Sequence, residues 1–204
     1  MDNRYLTLKY NSKSRWLSYW YQIHEVVSRS PENLLVIGKG SGIVENTIAS
    51  LSPKLKIVTF DNNPELLPDI VGDLRQLPFE NSSFDGILCC QVFEHIPFEQ
   101  IPHILNEFRR VVKDYVVISV PHKRKHLKLE IDVPILGNKR IILKYPFNKK
   151  TIISKKHYWE INRGVSYREI KSILRNYFIL EKTFLNEINC EHRFFILKKH
   201  PGMR

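Results

Sequence analysis

The chain is poor in cysteine and has no long apolar run. Its three cysteines, Cys89, Cys90 and Cys190, show no metal-ligand spacing and cannot form an even disulfide framework. No apolar stretch approaches the roughly 18 residues of a membrane helix, and the first residues lack the apolar core of a signal peptide. We therefore expect a soluble, cytoplasmic protein with reduced thiols and no metal site.

Acidic residues are also scarce, with 21 against 32 basic ones and a formal net charge of +11. The imbalance is local, because residues 122–157 contain nine Lys and two Arg against Glu130 and Asp132, which leaves 11 − 2 = +9 there. A basic patch of this kind attracts phosphate, carboxylate, nucleic acid or lipid head groups. The alternative is a solvated surface that is merely rich in lysine.

Glycine is the third scarce residue, and three of the eight glycines alternate in one turn. Gly38, Gly40 and Gly42 follow the apolar run 34–37 in VIGKGSG. A backbone without Cβ atoms can take positive φ and approach a ligand closely. The dinucleotide fingerprint requires glycine where Ile43 stands, and no phosphate-binding P-loop signature is present. The turn therefore predicts a site for a ligand without phosphate, unless it is a tight turn that binds nothing.

Apolar periodicity predicts strands that alternate with helices. Strands are expected at 34–37, 56–60, 70–73, 84–90 and 115–120, and helices at 15–28, 44–51, 98–112 and 167–176. The last segments, 177–185 and 192–199, complete seven strands as an antiparallel pair. This order predicts a single α/β domain over residues 1–204, with a doubly wound, Rossmann-like, mostly parallel sheet. Ligands bind such sheets at the carboxyl ends of the strands.

Two segments are expected to frame the site on the substrate side. The basic segment 122–157 alternates apolar and polar residues around Leu136-Gly137-Asn138, which predicts an inserted β-hairpin. The aromatic N-terminal region, residues 1–30, is expected to form a helical lid.

Four sequence stretches together resemble one family. VIGKGSG, FDNNPE, GDLRQLPFENSSFDGILCCQVFEHIP and VVISVPH resemble, in order and separation, the motifs of class I S-adenosylmethionine-dependent methyltransferases. The resemblance is strong from Asn33 to His122 and weaker from Tyr158 to Lys198. It implies methyltransferase activity with S-adenosylmethionine as cofactor.

The resemblance also assigns cofactor-binding residues. The glycine turn would hold the methionyl tail and ribose, and a carboxylate after the second strand would accept from the ribose hydroxyls. A second carboxylate and the following residue would read the adenine. The implied residues are Gly38, Gly40, Gly42, Asp61, Asn62, Asp73, Leu74 and Gln91. The chain departs from the family at Val36, where an acid is usual, and at Lys39, which adds positive charge.

The methyl acceptor is less well defined by the sequence. His95 is the candidate general base, because its ordinary pKa of about 6.5 suits proton transfer near neutrality, although a structural role is the alternative. The chain lacks the Asn/Asp-Pro-Pro-Tyr/Phe pattern of enzymes that methylate amino nitrogens of bases or glutamine. We expect a small or lipid-linked anionic acceptor. An RNA methyltransferase binding through residues 122–157 is one alternative, and a non-catalytic protein that lost the cofactor through Val36 and Lys39 is another.

Overall fold

A computed structural model describes residues 5, 7–123, 126–133, 137–144, 156–187 and 191–202. The helices are α1 (Lys13–Val27), α2 (Ile43–Leu51), α3 (Ile101–Val111) and α4 (Tyr167–Tyr177). The strands are β1 (Asn33–Ile37), β2 (Lys56–Asp61), β3 (Ile70–Val71), β4 (Phe84–Cys90), β5 (Val112–Pro121), β6 (His126–Val133), β7 (Gly137–Lys144), β8 (Glu160–Ile161), β9 (Gly164–Val165), β10 (Ile179–Leu185) and β11 (His192–Lys198).

Seven strands form one sheet in the order β10-β11-β5-β4-β1-β2-β3. Neighbouring strands from β5 to β3 pair in parallel, whereas β11 lies antiparallel to both β5 and β10. Strand order reverses between β1 and β4, so the crevice for a ligand lies at their carboxyl ends. The predicted doubly wound sheet with an antiparallel last strand is confirmed.

Helices cover both faces of the sheet, as the apolar patterns require. On one face, side chains of α1 and α2 are buried against the side of β1, β4, β5 and β11 that faces them. Tyr19, Val26 and Ile48 are among the helical members of this cluster. On the other face α3 and α4 bury a larger cluster that includes Phe108 and Leu174. Both clusters consist of fully buried aliphatic and aromatic side chains, which is the principal source of stability in such a fold.

The predicted hairpin is present, but its turn was placed wrongly. Strands β6 and β7 pair over eight positions, ending with Val133 opposite Gly137. Gly137 and Asn138 therefore belong to β7 and not to the turn, while Leu136 lies outside the described residues. Alternation of apolar and polar residues fixes the strands but does not fix where the chain reverses.

The third strand is shorter than predicted, because β3 ends at Val71. Beyond it Gly72 donates its amide to the carbonyl of Asp61 at 3.0 Å, and this leads the chain across the carboxyl end of β2. Within the described ranges no helix combines the length and the apolar character needed to traverse a lipid bilayer.

Candidate functional site

A cavity of about 1110 Å³ opens at the carboxyl ends of β1, β2, β4 and β5. It receives nearly all of the residues that the sequence assigned to the site. Those on its wall are Gly38, Gly40, Asp61, Asn62, Asp73, Leu74, Gln91 and His95. Gly42 is the exception: it does not line the cavity and is the N-cap residue of α2.

The glycine turn requires its glycines for conformation. Gly38, Gly40 and Gly42 have φ of +83°, +56° and +78°, in the left-handed region that side chains disfavour. A Cβ on Gly38 would lie 2.5 Å from Cγ2 of Val92, whereas one on Gly40 would have no atom within 4 Å. The turn therefore brings bare backbone to the cavity wall, where Gly40 has space beside it.

Asp61 fixes the turn from the neighbouring strand. One carboxylate oxygen accepts from the amide of Lys39 at 2.9 Å, and the other accepts from the amide of Asn63 at 2.9 Å. Each oxygen has a second lone pair, so the carboxylate can still accept from a ligand hydroxyl. Asp61 thus joins the ends of β1 and β2 and faces the cavity between them.

Asp73 is engaged by a residue that the sequence analysis did not single out. The guanidinium and the backbone amide of Arg75 both donate to the Asp73 carboxylate, and this contact lowers the pKa of Asp73. Both side chains are about half exposed. Leu74 between them is buried and lines the cavity. The sequence signal for this contact was the basic residue Arg75 two positions after Asp73.

Lys39 lines the cavity, and its ammonium is engaged outside the glycine turn. Its ammonium donates to the carbonyl of Leu67, beyond the end of β2. Val36 is buried in the core under α2. The acid missing at position 36 has a counterpart in the first turn of α2, where the carboxylate of Glu45 is buried at the cavity wall. Burial raises its pKa, and Oε1 of Glu45 has no hydrogen-bond partner among the described residues.

Gln91 lies at the opposite lip of the crevice, directly after β4. It has an unusual positive φ of 58°, and its amide donates to the carbonyl of Ser119 at 2.8 Å. Its side-chain amide also donates to the Ser119 hydroxyl at 3.2 Å. These bonds tie the ends of β4 and β5 and hold the Gln91 side chain beside the cavity.

Beyond Gln91 the wall carries a group of carboxylates and imidazoles. Glu94 and His95 lie in a short 3-10 turn, and the rings of His95 and His157 meet edge to face with centroids 4.9 Å apart. His157 Nδ1 lies 2.7 Å from a carboxylate oxygen of the buried Glu160. Burial, together with the charge of Glu160, raises the pKa of Glu94 to about 8.

Three hydrogen bonds fasten the segment before β8 to this turn. His95 Nδ1 lies 2.8 Å from the carbonyl of Lys156, Tyr158 donates its amide to the carbonyl of Glu94 at 2.8 Å, and the Trp159 indole donates to the carbonyl of Ile96 at 2.9 Å. The sequence analysis did not connect His157 with His95. Its partnership with His95 arises from these long-range contacts.

Comparisons with known proteins agree with this architecture. Residues 35–118 match the family model described as a methyltransferase domain. A demethylmenaquinone methyltransferase of Thermotoga maritima is 30% identical over 122 residues, which make up 52% of each chain. The present chain thus spans about half the length of that relative.

Solved structures extend the similarity to nearly the whole fold. The PH0226 protein of Pyrococcus horikoshii covers 98% of this chain, and 99% of its own, with a TM-score of 0.65 and 13% identity. A Burkholderia thailandensis 1,6-didemethyltoxoflavin-N1-methyltransferase, solved with S-adenosylhomocysteine, covers 89% of this chain and 76% of its own (TM-score 0.58, 14% identity). Together with the family match, these findings confirm the resemblance to class I methyltransferases and their fold.

Proposed function

We propose that this chain, which carries a methyltransferase domain at residues 35–118, transfers a methyl group from S-adenosylmethionine to a small or lipid-linked anionic acceptor. The observation that carries the proposal is the turn of Gly38 and Gly40 held by Asp61 against a large cavity. The turn stands at the strand ends where this fold binds ligands.

The residues of the cavity suit the proposed cofactor. S-adenosylmethionine supplies an electrophilic methyl group on a sulfonium. The bare backbone of Gly38 and Gly40 would lie against the methionyl tail, and Asp61 and Asn62 would take the ribose hydroxyls. Asp73 would accept from the adenine amino group and Leu74 would pack against the ring, while Gln91 would lie near the methionyl end. Gly42 supports this arrangement by starting α2.

Glu45 compensates for the acid that position 36 lacks. Its carboxylate is buried at the wall beside the glycine turn and has an oxygen without a hydrogen-bond partner among the described residues. An ammonium group of the methionyl tail would satisfy that oxygen, since a buried carboxylate gains most from a charged donor. With Lys39 held by Leu67, this argues against the alternative that the chain has lost the cofactor.

The acceptor is proposed from charge and from the position of the cavity. Residues 122–157 have a net charge of +9, and Lys123, Lys156 and His157 from that segment line the cavity. An anionic group would be attracted to this side. Both named enzymes above are named for small-molecule acceptors, demethylmenaquinone and 1,6-didemethyltoxoflavin. The name of the 30% identical relative is the point that favours a small acceptor over RNA.

The tautomer of His95 in its neutral form supports a role in proton transfer. A carbonyl only accepts, so the contact with Lys156 requires a proton on Nδ1 and leaves the lone pair on Nε2. That nitrogen is the group that would remove a proton from the acceptor. The alignment of acceptor and methyl group would supply much of the rate in any case.

Calorimetric titration with S-adenosylhomocysteine tests the cofactor site. We expect micromolar binding to the wild-type chain, and a loss of at least about tenfold in Asp61→Ala and in Glu45→Gln, as for loss of a charge-assisted hydrogen bond. Circular dichroism of each variant must match that of the wild type. Failure of folded wild-type protein to bind would contradict the proposal and favour the non-catalytic alternative.

A salt series separates the small acceptor from RNA. Binding of RNA through residues 122–157 would weaken steeply with salt, because each phosphate contact releases counterions. We expect no such binding at about 0.15 M salt. Tight, salt-dependent binding of RNA would instead support the RNA methyltransferase alternative.

A further inference from the structure

Glu94, His95 and His157 form a cluster at the acceptor end of the cavity. One potential ligand atom from each residue lies within 4.8 Å of the other two. All three residues line the cavity wall. They come from two parts of the chain, the turn after β4 and the segment before β8, which the three hydrogen bonds described above hold together.

The carboxylate of Glu94 is the first sign that a cation belongs here. The residue is only 1% exposed, and its Oε2 finds no hydrogen-bond partner in the described part of the chain. Burying a carboxylate oxygen in this way is costly, so such groups in proteins are normally paired or bound to an ion. The neighbouring Glu160 is itself paired with His157 and Arg163.

The two imidazoles are held in the state that binds metal. His95 Nδ1 lies 2.8 Å from a carbonyl oxygen and His157 Nδ1 lies 2.7 Å from a carboxylate oxygen of Glu160. These oxygens accept, so each Nδ1 carries a proton, and in the neutral rings each Nε2 carries the lone pair. A hydrogen bond from the second ring nitrogen to a carbonyl or carboxylate is the usual arrangement around metal-bound histidine.

We propose that Glu94, His95 and His157 bind a divalent transition-metal ion of the zinc, cobalt or manganese class. Two imidazoles and one carboxylate leave coordination positions open, as in catalytic zinc sites. The cysteine spacing led us to expect no metal site. That expectation did not take a cluster of histidines into account.

The ion would also define the acceptor more narrowly, a step that rests on the proposed methyl transfer. An open position beside the methyl end selects an acceptor with an oxygen donor, such as a hydroxyl next to a carboxylate or a second hydroxyl. A bound metal lowers the pKa of a coordinated hydroxyl. The hydroxyl proton would then pass to solvent water while His95 holds the metal, so the two roles of His95 exclude each other.

Titration of untagged, chelator-treated protein with Co²⁺ tests the metal site without any methyl transfer. We expect one Co²⁺ per chain with a visible absorption band from nitrogen and oxygen ligands. Glu94→Gln and His157→Asn should each weaken binding at least about 100-fold, beyond the roughly 10- to 100-fold that losing an outer hydrogen-bond partner costs. His24→Asn, which alters an exposed histidine of α1, is the matched control and should leave binding unchanged.

Separate titrations with S-adenosylhomocysteine distinguish the two proposals. Cofactor binding without saturable Co²⁺ binding, or Co²⁺ binding equal in wild type, Glu94→Gln and His157→Asn, would overturn the metal site alone. Co²⁺ binding that depends on the cluster, without cofactor binding, would uphold the metal site and overturn the methyl transfer. Retained cofactor binding in both variants shows that they are folded.

Discussion

At the glycine-turn end of the cavity, contacts join residues close in sequence, whereas at the imidazole end they join residues far apart. Asp61 bonds to amides 22 and 2 positions away. His95 and Trp159 reach partners 61 and 63 positions away. The first end is therefore built by the strand-turn-helix unit itself, and the second end exists only when two distant segments meet. Damage to one end should leave the other largely intact.

Gly38→Ala should break the glycine-turn end with the largest effect. Its φ of +83° disfavours a side chain, and the new Cβ would meet Val92 at 2.5 Å. We expect the free energy of unfolding to fall by roughly 3 kcal/mol, from strain plus overpacking. Binding of S-adenosylhomocysteine, measured by calorimetry, should become undetectable.

Gly40→Ala is the matched control for that change. Its φ is +56°, but a Cβ there meets nothing within 4 Å, so only the strain of about 1 kcal/mol remains. Equal losses in both variants, measured by urea denaturation, would show that the clash with Val92 is irrelevant.

Trp159→Phe should break the imidazole end selectively. The indole is 2% exposed and donates to the carbonyl of Ile96, so the change leaves a small cavity and an unsatisfied carbonyl. We expect a loss of roughly 2 to 3 kcal/mol in the free energy of unfolding. Affinity for S-adenosylhomocysteine should stay within about twofold, since no contact at the glycine turn changes. A large loss of affinity would show that the two ends are coupled.

The part of the site that could be predicted from sequence follows the same division. The alternation of strands and helices, the three glycines, the acid at the end of β2 and the acid after β3 are local patterns, and the structure brings them to one crevice. Arg75 and Glu45 lie within the same local units and were missed because charged residues are common at helix starts and in loops. The pairing of His95 with His157 could not be predicted, because it joins residues far apart in sequence and depends on the contacts that Tyr158 and Trp159 make with the turn after β4.

His192 of β11 lies on the cavity wall and allows a smaller test, of how stability depends on pH. Its ring is buried against the Ser18 hydroxyl at 2.8 Å, and burial, with the charges of Arg15 and Lys123, lowers its pKa from 6.5 to about 3. As pH falls below 6.5, the unfolded chain takes up a proton that the folded chain refuses, so stability present above this pH is lost on acidification. His192 should account for a loss of about 2 kcal/mol between pH 7 and pH 5.

The measurement is urea denaturation of wild type and His192→Asn at both pH values. Asparagine does not titrate, so the variant should lose less stability on acidification by about that amount. Parallel curves for the two proteins would show that this imidazole does not stay neutral in the folded chain.

Arg75→Ala should have the smallest effect. The ion pair with Asp73 is open to solvent, where such pairs contribute little. We expect an unchanged melting temperature and a change of less than about threefold in affinity for S-adenosylhomocysteine. A strong gain in affinity would show that Arg75 competes with the ligand for Asp73, and a strong loss would show that Arg75 itself contacts the ligand.

The hairpin segment begins after β5 and ends at β8, and its two ends lie side by side. His122 forms a parallel bridge with Ile161, and Lys123 donates its amide to the carbonyl of Ile161 at 3.0 Å. The residues between these anchor points form one contiguous cassette, which Tyr158 and the buried Trp159 fasten to the turn after β4. Because His157 belongs to the cassette, exchanging it would change the basic charge of residues 122–157 and the Glu94, His95 and His157 cluster together. Under the proposed methyl transfer, a change of acceptor can therefore come from exchanging one contiguous segment, while the glycine turn stays as it is.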